Sequence, residues 1–327
     1  MRELIKKENS GAAWGRLVGE WELALRDGKD SGRNIGGTTA EDYIHSLHTN
    51  TQDWWKRPAN EVTPGDVRIL YEAITGAGGS KSQLDKLRSA INGLFSWAIE
   101  TRKLLGISQS PAFGISTKRG RDEEKRPEIL NIAQIQKLLA LAKAYAHPWY
   151  SIWAFALLSG MRSGELHALT WEEVDDVSGL IHVHRSYNKR KGMVGPTKGR
   201  YWRDVPFNDD IKALILSLRA ESRGRVHVLP RFRDWDKGEQ ARILREFTSS
   251  CGLPSIRFHT LRSCFATQLL AGNVPIPRVM QIGGWKSLKT VQRYIRIAGV
   301  EIIGATDSLQ FLPPSDCAGK VVRLIKE

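Results

Sequence analysis

The sequence predicts a mainly α chain with a small antiparallel β-sheet: an N-terminal helical bundle followed by an α+β domain. Three observations carry this prediction. Apolar residues recur at three- and four-residue spacing along the first part of the chain, as on the buried face of a helix. Segment 116–127 is dense in charge (Lys118, Arg119, Arg121, Asp122, Glu123, Glu124, Lys125, Arg126) and holds no aliphatic anchor. Short β-prone runs stand out only beyond it. A length of 327 residues accommodates two domains of about 100–200 residues each.

Residues 1–11 are a short extension, and the bundle occupies 12–115, with about four helices. Thr38-Thr39-Ala40-Glu41 is a capping-box pattern ahead of Tyr43, Ile44 and Leu47. Thr63-Pro64-Gly65-Asp66 offers an N-cap, a proline at the first helical position and an acid in the first turn. Leu84, Leu87, Ile91, Leu94, Phe95, Ala98 and Ile99 form one buried helical face. Residues 116–127 then read as a solvated linker containing the domain boundary. In the second domain, 128–327, a helix starts at Asn131 with Ile132, Ile135, Leu138 and Leu139 on one face. The apolar run 149–161 is a buried helix. Runs 180–184 and 201–206 read as strands joined by a Gly- and Lys-rich connection, and helices resume at 211–218, 241–249, 259–271 and 287–295. A tail follows from about residue 297. It is interrupted by Pro313-Pro314, which stop a helix, and it ends in the β-prone run 320–325.

Net charge is +14 and the pI is about 9.8. A chain this basic meets polyanions, of which nucleic acid is the commonest. No apolar run approaches the ~20 residues of a spanning helix, and the N-terminus lacks an apolar signal core, so neither membrane insertion nor export is expected. Cysteines number three (Cys251, Cys264, Cys317) and none forms a C-x-x-C pair. Neither a disulfide framework nor a zinc site is expected, and reduced cytoplasmic thiols are the simpler account. With no His/Asp/Glu cluster of metal-ligand spacing, no cofactor or metal is expected.

Several residues suit phosphate chemistry. His259 and Arg262, at i and i+3, share a helix face. Arginine offers a rigid donor fork matched to two phosphate oxygens, and histidine passes protons near neutral pH. Alone, an H-x-x-R pattern matches by chance and reads equally as a structural histidine beside a surface arginine. Arg162 lies in Gly160-Met161-Arg162-Ser163-Gly164-Glu165, where Gly160 can end one helix in a left-handed turn and Ser163 or Gly164 can open the next. That turn would aim Arg162 into a cleft or simply leave it on the surface. Between Val177 and Arg203 stand seven bases (Arg185, Lys189, Arg190, Lys191, Lys198, Arg200, Arg203) and no acid. Most of these read as charges that track a phosphate backbone. Trp285 offers an indole N–H, a donor only, or a packing ring. Tyr294 is a candidate nucleophile. A phenol ionises near pH ~10 in water, so attack by it needs nearby cations or a base.

Taken together, these motifs resemble the tyrosine recombinases, the phage integrase family. His259-Thr260-Leu261-Arg262-Ser263-Cys264-Phe265-Ala266-Thr267 is similar to the family's H-x-L-R-x-x-F-A-T box. Gly160-Met161-Arg162 with Glu165 resembles the setting of its first arginine and buried acid, and Thr197-Lys198 ahead of Arg203-Asp204-Val205-Pro206 resembles its catalytic hairpin. Trp285 stands, after Gly283-Gly284, where most relatives carry histidine, and Tyr294 falls nine residues later. The resemblance implies a core-binding, SAM-like helical domain, then a catalytic domain that cleaves and rejoins double-stranded DNA at specific sites through a 3′-phosphotyrosine.

It implies catalytic roles for Arg162, Lys198, His259, Arg262, Trp285 and Tyr294, with Glu165 in support. Phe265 and Ala266 would face the core while His259 and Arg262 face the cleft. Expected partners are duplex DNA, further copies in a synaptic tetramer, and DNA-bending or directionality proteins. The other readings are a topoisomerase-like strand transferase of type IB and a DNA-binding protein without catalysis. The tail would add an edge strand to its own domain or dock on a neighbouring protomer.

Overall fold

The computed structural model describes residues 12–29, 35–117, 129–197 and 202–298. Contacts divide the chain into two units, Met1–Lys125 and Arg126–Glu327.

In the first unit the described helices are α1 (Trp14–Arg26), α2 (Gly37–Asn50), α3 (Pro64–Gly76) and α4 (Lys81–Glu100). Helix α3 starts as its residues dictate. The Thr63 hydroxyl accepts from the Asp66 N–H at 3.3 Å, and the Asp66 carboxylate accepts from the Thr63 N–H at 2.7 Å. Pro64 takes the first helical position, where a missing N–H costs nothing. On α4 the stripe Leu84, Leu87, Ile91, Leu94, Phe95 and Ala98 is buried with Trp14, Leu17 and Trp21 of α1 and Leu47 of α2, while Ile99 is half-buried. The Trp14 indole donates to Thr51 Oγ1 at 2.8 Å, which satisfies the one polar atom of a wholly buried ring.

Two details differ from the sequence reading. Helix α2 begins at Gly37, with Gly36 as an N-cap that makes no side-chain bond. The N–H groups of Thr39 and Ala40 donate to the Gly36 carbonyl, so the helix has already closed before Thr38 could act as a cap. Packed chain also continues past residue 115, because the hydroxyl of buried Thr117 donates to the Asp85 carboxylate. Residues 118–127 of the expected linker, and the 1–11 extension, lie outside the described residues.

The second unit opens with α5 (Ile132–Ala144), capped by Asn131, whose side chain and that of Gln134 bond each other's backbone N–H at 2.8 and 2.9 Å. Leu138 is buried, but Ile132, expected on the same face, is exposed. Helices α6 (Tyr150–Ser159) and α7 (Ser163–Ala168) follow. The strands are β1 (Val174–Asp175), β2 (Leu180–Val183), β3 (Arg185–Asn188), β4 (Met193–Pro196) and β5 (Arg203–Pro206). They form an antiparallel sheet of order β1-β2-β5, with Val183 opposite Arg203, and a separate β3–β4 hairpin.

That hairpin corrects the plain connection expected between the two strands. No apolar alternation announces it. It is held by close packing on α7, where a Cβ on Gly164 would lie 2.6 Å from both Ser186 Oγ and the Tyr187 carbonyl oxygen.

Helices α8 (Asp209–Ala220), α9 (Arg233–Asp236), α10 (Gln240–Ser250), α11 (Phe258–Ala271), α12 (Ile276–Gly283) and α13 (Leu288–Ala298) complete the described unit. Its main core surrounds α6, with Ile152, Trp153 and Phe155 fully buried. A smaller cluster, Phe265, Ala266, Leu270, Val279, Trp285, Val291 and Tyr294, joins α11, α12 and α13. Among the described residues Cys251 and Cys264 are free thiols, and no helix is long and apolar enough to cross a membrane. Cys317 and the tail from 299 onward lie outside the described residues.

Candidate active site

The site is built on the end of α12. The helix stops in a left-handed turn at Gly284, φ 67°. The N–H groups of Gly284 and Trp285 return to the carbonyls of Gln281 and Met280 at 3.2 and 3.0 Å, a Schellman arrangement. The carbonyls that follow have no helical partner and lie at the negative end of the helix dipole. Three arginines fill that need. Ile282 O accepts from Arg203 Nε at 2.8 Å, Gly283 O from Arg262, and Gly284 O from Arg162 at 3.4 Å. Arg262 also donates to Gly160 O, the left-handed end of α6 with φ 61°, and so bridges two helix termini. Close packing demands glycine here. A Cβ on Gly160 would sit 2.2 Å from the Phe265 ring, and one on Gly283 would sit 1.8 Å from the Trp285 ring.

Helix α7 opens at Ser163, one of the two starts expected, with Arg162 as its N-cap and Glu165 in the first turn. The Glu165 carboxylate reaches back to the Arg162 N–H at 2.8 Å and to Arg162 Nη1 at 2.7 Å. It also accepts two bonds from Arg203, at 2.6 and 3.1 Å. The Glu165 and Arg203 side chains are 0% and 1% exposed, whereas Arg162 keeps 33%. Burial would raise the Glu165 pKa. The hydrogen bond and charge of Arg203, then the charge of Arg162, override burial and hold it at about 2.

Arg262 is 2% exposed, and its Nε is buried with no hydrogen-bond partner. Its guanidinium lies over the Trp285 ring, 4.2 Å from the centroid, and the Trp285 and Tyr294 rings are 5.6 Å apart. Burial, then the charges of Arg162 and Arg203, push the Arg262 pKa down to about 9, against the pull of Glu165 and Tyr294. The guanidinium stays charged at neutral pH. Three arginines against one carboxylate leave two positive charges in a water-poor pocket, a strong attraction for an anion.

His259 stands at the start of α11 with an accessible edge. The protein mass around it, then Arg262 and Arg162, push its pKa below the ordinary value, so it is a neutral base at pH 7. As expected, Phe265 and Ala266 face the core from the same helix.

Arg162, Glu165, Arg262, Trp285 and Tyr294 thus converge, with His259 at the rim. Lys198 and Arg200 lie outside the described residues. Of the expected backbone-tracking bases, Lys189, Arg190 and Lys191 are exposed around the β3–β4 turn. Arg185 is instead engaged with buried Glu173 at 2.9 Å and Thr170 at 2.8 Å. Arg203 is wholly buried in the Glu165 pair, which corrects its reading as a DNA-contacting surface charge. Each of its three nitrogens is engaged within the protein, on Glu165 and on Ile282 O.

Two features escaped the sequence reading. Lys286, Lys289, Arg293 and Arg296 line the exposed side of the Tyr294 segment, a spacing the strong amphipathicity of 288–298 would have disclosed. Behind α7, His167 stacks on Tyr187 with centroids 3.8 Å apart and bonds Asp236 at 2.8 Å, beside Arg231. Burial, opposed by Asp236 and reinforced by Arg231, takes its pKa to about 4, so His167 is a neutral brace between α7 and β3. No sequence signal marks it.

Residues 128–299 match the phage integrase family. The integrase of Salmonella phage P22 is 24% identical over 162 residues, 46% of this chain and 40% of that protein. The tyrosine recombinase XerC of Azotobacter vinelandii is 26% identical over 250 residues, 71% of this chain and 75% of that protein. In fold, the chain is similar to the Tn1549 transposon integrase in complex with transposon right-end DNA. The TM-score is 0.70 at 16% identity, covering 85% of this chain and 94% of that one. It is likewise similar to a lambda integrase tetramer bound to a Holliday junction, with TM-score 0.70 at 18% identity, covering 91% and 82%. At these identities the structural likeness is one of fold.

The ion triad sets a pH dependence. The Glu165 pKa is lowered in the folded protein from the ordinary 4.5 to about 2. Its contribution is therefore fully present above about pH 4.5 and is lost as pH falls toward about 2, on the order of 3 kcal/mol in all. Urea unfolding at pH 7 and pH 3 checks this. Glu165→Gln should be less stable than wild type at pH 7, because buried Arg203 and half-buried Arg162 lose their counter-charge, yet should lose less on acidification. Equal acid sensitivity in the two proteins would remove Glu165 as the responsible group.

Proposed function

The chain belongs to the phage integrase family, and from that premise we propose that it is a site-specific DNA recombinase in which Tyr294 attacks a phosphodiester held by Arg162, Arg262 and Trp285. The observation that carries the proposal is the buried, unpartnered Nε–H of Arg262. A donor sealed from water without an acceptor is costly, and a non-bridging phosphate oxygen would supply one within reach of the Tyr294 ring.

The chemistry is an exchange of phosphoryl partners. The phenolic oxygen of Tyr294 forms the new bond to phosphorus, its proton passing to His259. The bond from phosphorus to the 5′ oxygen breaks, and Lys198 protonates that oxygen as it leaves. A 3′-phosphotyrosine and a free 5′ hydroxyl result. Attack by the 5′ hydroxyl of a partner strand reverses the step. Because the phosphodiester energy is conserved in the covalent intermediate, the exchange itself requires no nucleotide. Arg162 and Arg262 oppose the charge that builds on the non-bridging oxygens in the transition state. Trp285 adds an indole donor and packs its face under Arg262.

Duplex DNA with a specific core site is the proposed substrate. By analogy with the lambda integrase tetramer on a Holliday junction, synapsis would join four protomers, with DNA-bending or directionality proteins as further partners. Integration or excision of a mobile element is the proposed biological outcome. The exposed bases Lys189, Arg190 and Lys191 would hold the phosphate backbone.

Two tests follow. On a nicked suicide duplex, Tyr294→Phe should bind like wild type and form no covalent protein–DNA adduct. A protease-sensitive adduct surviving in that variant would remove Tyr294 as the nucleophile. Lys198→Ala should slow cleavage of an ordinary phosphodiester by about 100-fold or more, as expected for loss of a general acid. A 5′-bridging phosphorothiolate, whose sulfur leaves without protonation, should restore most of the rate. Equal slowing on both substrates would assign Lys198 another role.

A further inference from the structure

We infer that Arg203 is a positioning residue for strand cleavage: it neutralises the buried carboxylate of Glu165, so that Arg162 keeps its positive charge for the phosphate while Glu165 still fixes its direction. The inference rests on the proposed role of Arg162.

Arg203 Nε is spent on Ile282 O at 2.8 Å, and its two terminal nitrogens on the two oxygens of Glu165 at 3.1 and 2.6 Å. All three of its nitrogens are thus engaged inside the protein, and its side chain is 1% exposed. Its counterpart in the triad is different: Arg162 keeps 33% of its side chain exposed and gives Glu165 only Nη1 and its backbone N–H.

Charge then decides the function. A pair made of Glu165 and Arg162 alone would be neutral, and Arg162 would be drawn down onto the carboxylate. Adding Arg203 leaves the three groups with one net positive charge, and the exposed member of the triad is Arg162. The bidentate geometry of Arg203 occupies one side of the carboxylate, so the Arg162 side chain gives Glu165 a single bond, with a longer one to Gly284 O, and retains donors for a ligand.

Location supports this. Arg203 opens β5, five residues after Lys198 in the chain, and its Nε holds the last turn of α12 ahead of Trp285. A Cβ on Gly284, already left-handed at φ 67°, would lie 2.9 Å from Arg203 Cδ. One buried side chain therefore ties the strand after the lysine, the first arginine and the turn before the tryptophan.

The test compares Arg203→Met, Arg203→Lys, Glu165→Gln and the double variant Glu165→Gln/Arg203→Met. It measures duplex affinity across salt concentrations and the single-turnover rate of adduct formation. For Arg203→Met the expected result is unchanged affinity and an unchanged salt slope, with cleavage slower by about 100-fold, the scale of losing one transition-state donor. The double variant restores the net charge of wild type and should recover at least about 10-fold of that loss. Arg203→Lys keeps the charge, guarding against a fold that does not survive methionine, and should cleave faster than Arg203→Met at equal affinity.

Loss of affinity with a salt slope reduced by about one unit would make Arg203 a phosphate contact and overturn the inference. A double variant no faster than Arg203→Met would overturn it too, since a purely structural residue gains nothing from removal of the carboxylate. Should wild type itself form no adduct, the proposed function fails first, and the two failures are thereby told apart.

Discussion

Three successive carbonyl oxygens, those of Ile282, Gly283 and Gly284, hold three arginines, and the rest of the site depends on that interaction. A helix end leaves acceptors unfilled and carries partial negative charge. Here the acceptors are filled by guanidinium groups from β5, α11 and the start of α7, so elements far apart in the chain are drawn to one point. The glycines follow from it. Gly284 must adopt a left-handed turn to end the helix, and Gly160 and Gly283 must lack a Cβ because rings occupy that space. Substituting any of them would displace a carbonyl and the arginine bound to it.

Burying three guanidiniums is costly, and the site offsets the cost unequally. Glu165 takes both terminal nitrogens of Arg203 and one of Arg162, while Arg262 rests on carbonyls and on the Trp285 face and keeps its Nε–H unpaired. The uncompensated part of the charge therefore sits beside Tyr294, where, in the proposed reaction, the attacking phenolate and the transition-state oxygens would both carry negative charge. Stability and activity are in tension at this point, as is common where strain or unpaired polarity is kept for chemistry.

Much of the fold was legible because local signals agreed with it. The Thr63–Asp66 box and the α4 stripe formed as written, and the apolar run 149–161, which carries Ser151 and Ser159, holds the buried helix α6. Elements whose signal is tertiary were not legible. Helix α12 was not expected from the sequence; Pro275 and Pro277 sit at its start, where proline is tolerated. The β3–β4 hairpin has no apolar alternation and exists because Gly164 lets it dock on α7. At the site, Arg162, Arg262, Trp285 and Tyr294 could be read from their motifs. Arg203 could not, because a basic run in sequence carries no mark of which member turns inward. Only the burial of Glu165 separates Arg203 from its exposed neighbours Lys189 and Lys191.

The central claim is that the arginines held by α12 form the seat of the scissile phosphate. Arg262 Nε–H resonances, recorded for the Tyr294→Phe protein and identified by comparison with Arg262→Lys, test it most directly. The protein would be bound in turn to a duplex with an ordinary phosphodiester at the cleavage position and to one with an uncharged methylphosphonate there. The account predicts a large shift of the Arg262 Nε–H with the phosphodiester and little with the methylphosphonate, since the surplus positive charge of the cluster draws in an anion and not a neutral group. The same shift with both duplexes, or none with the phosphodiester, would contradict it.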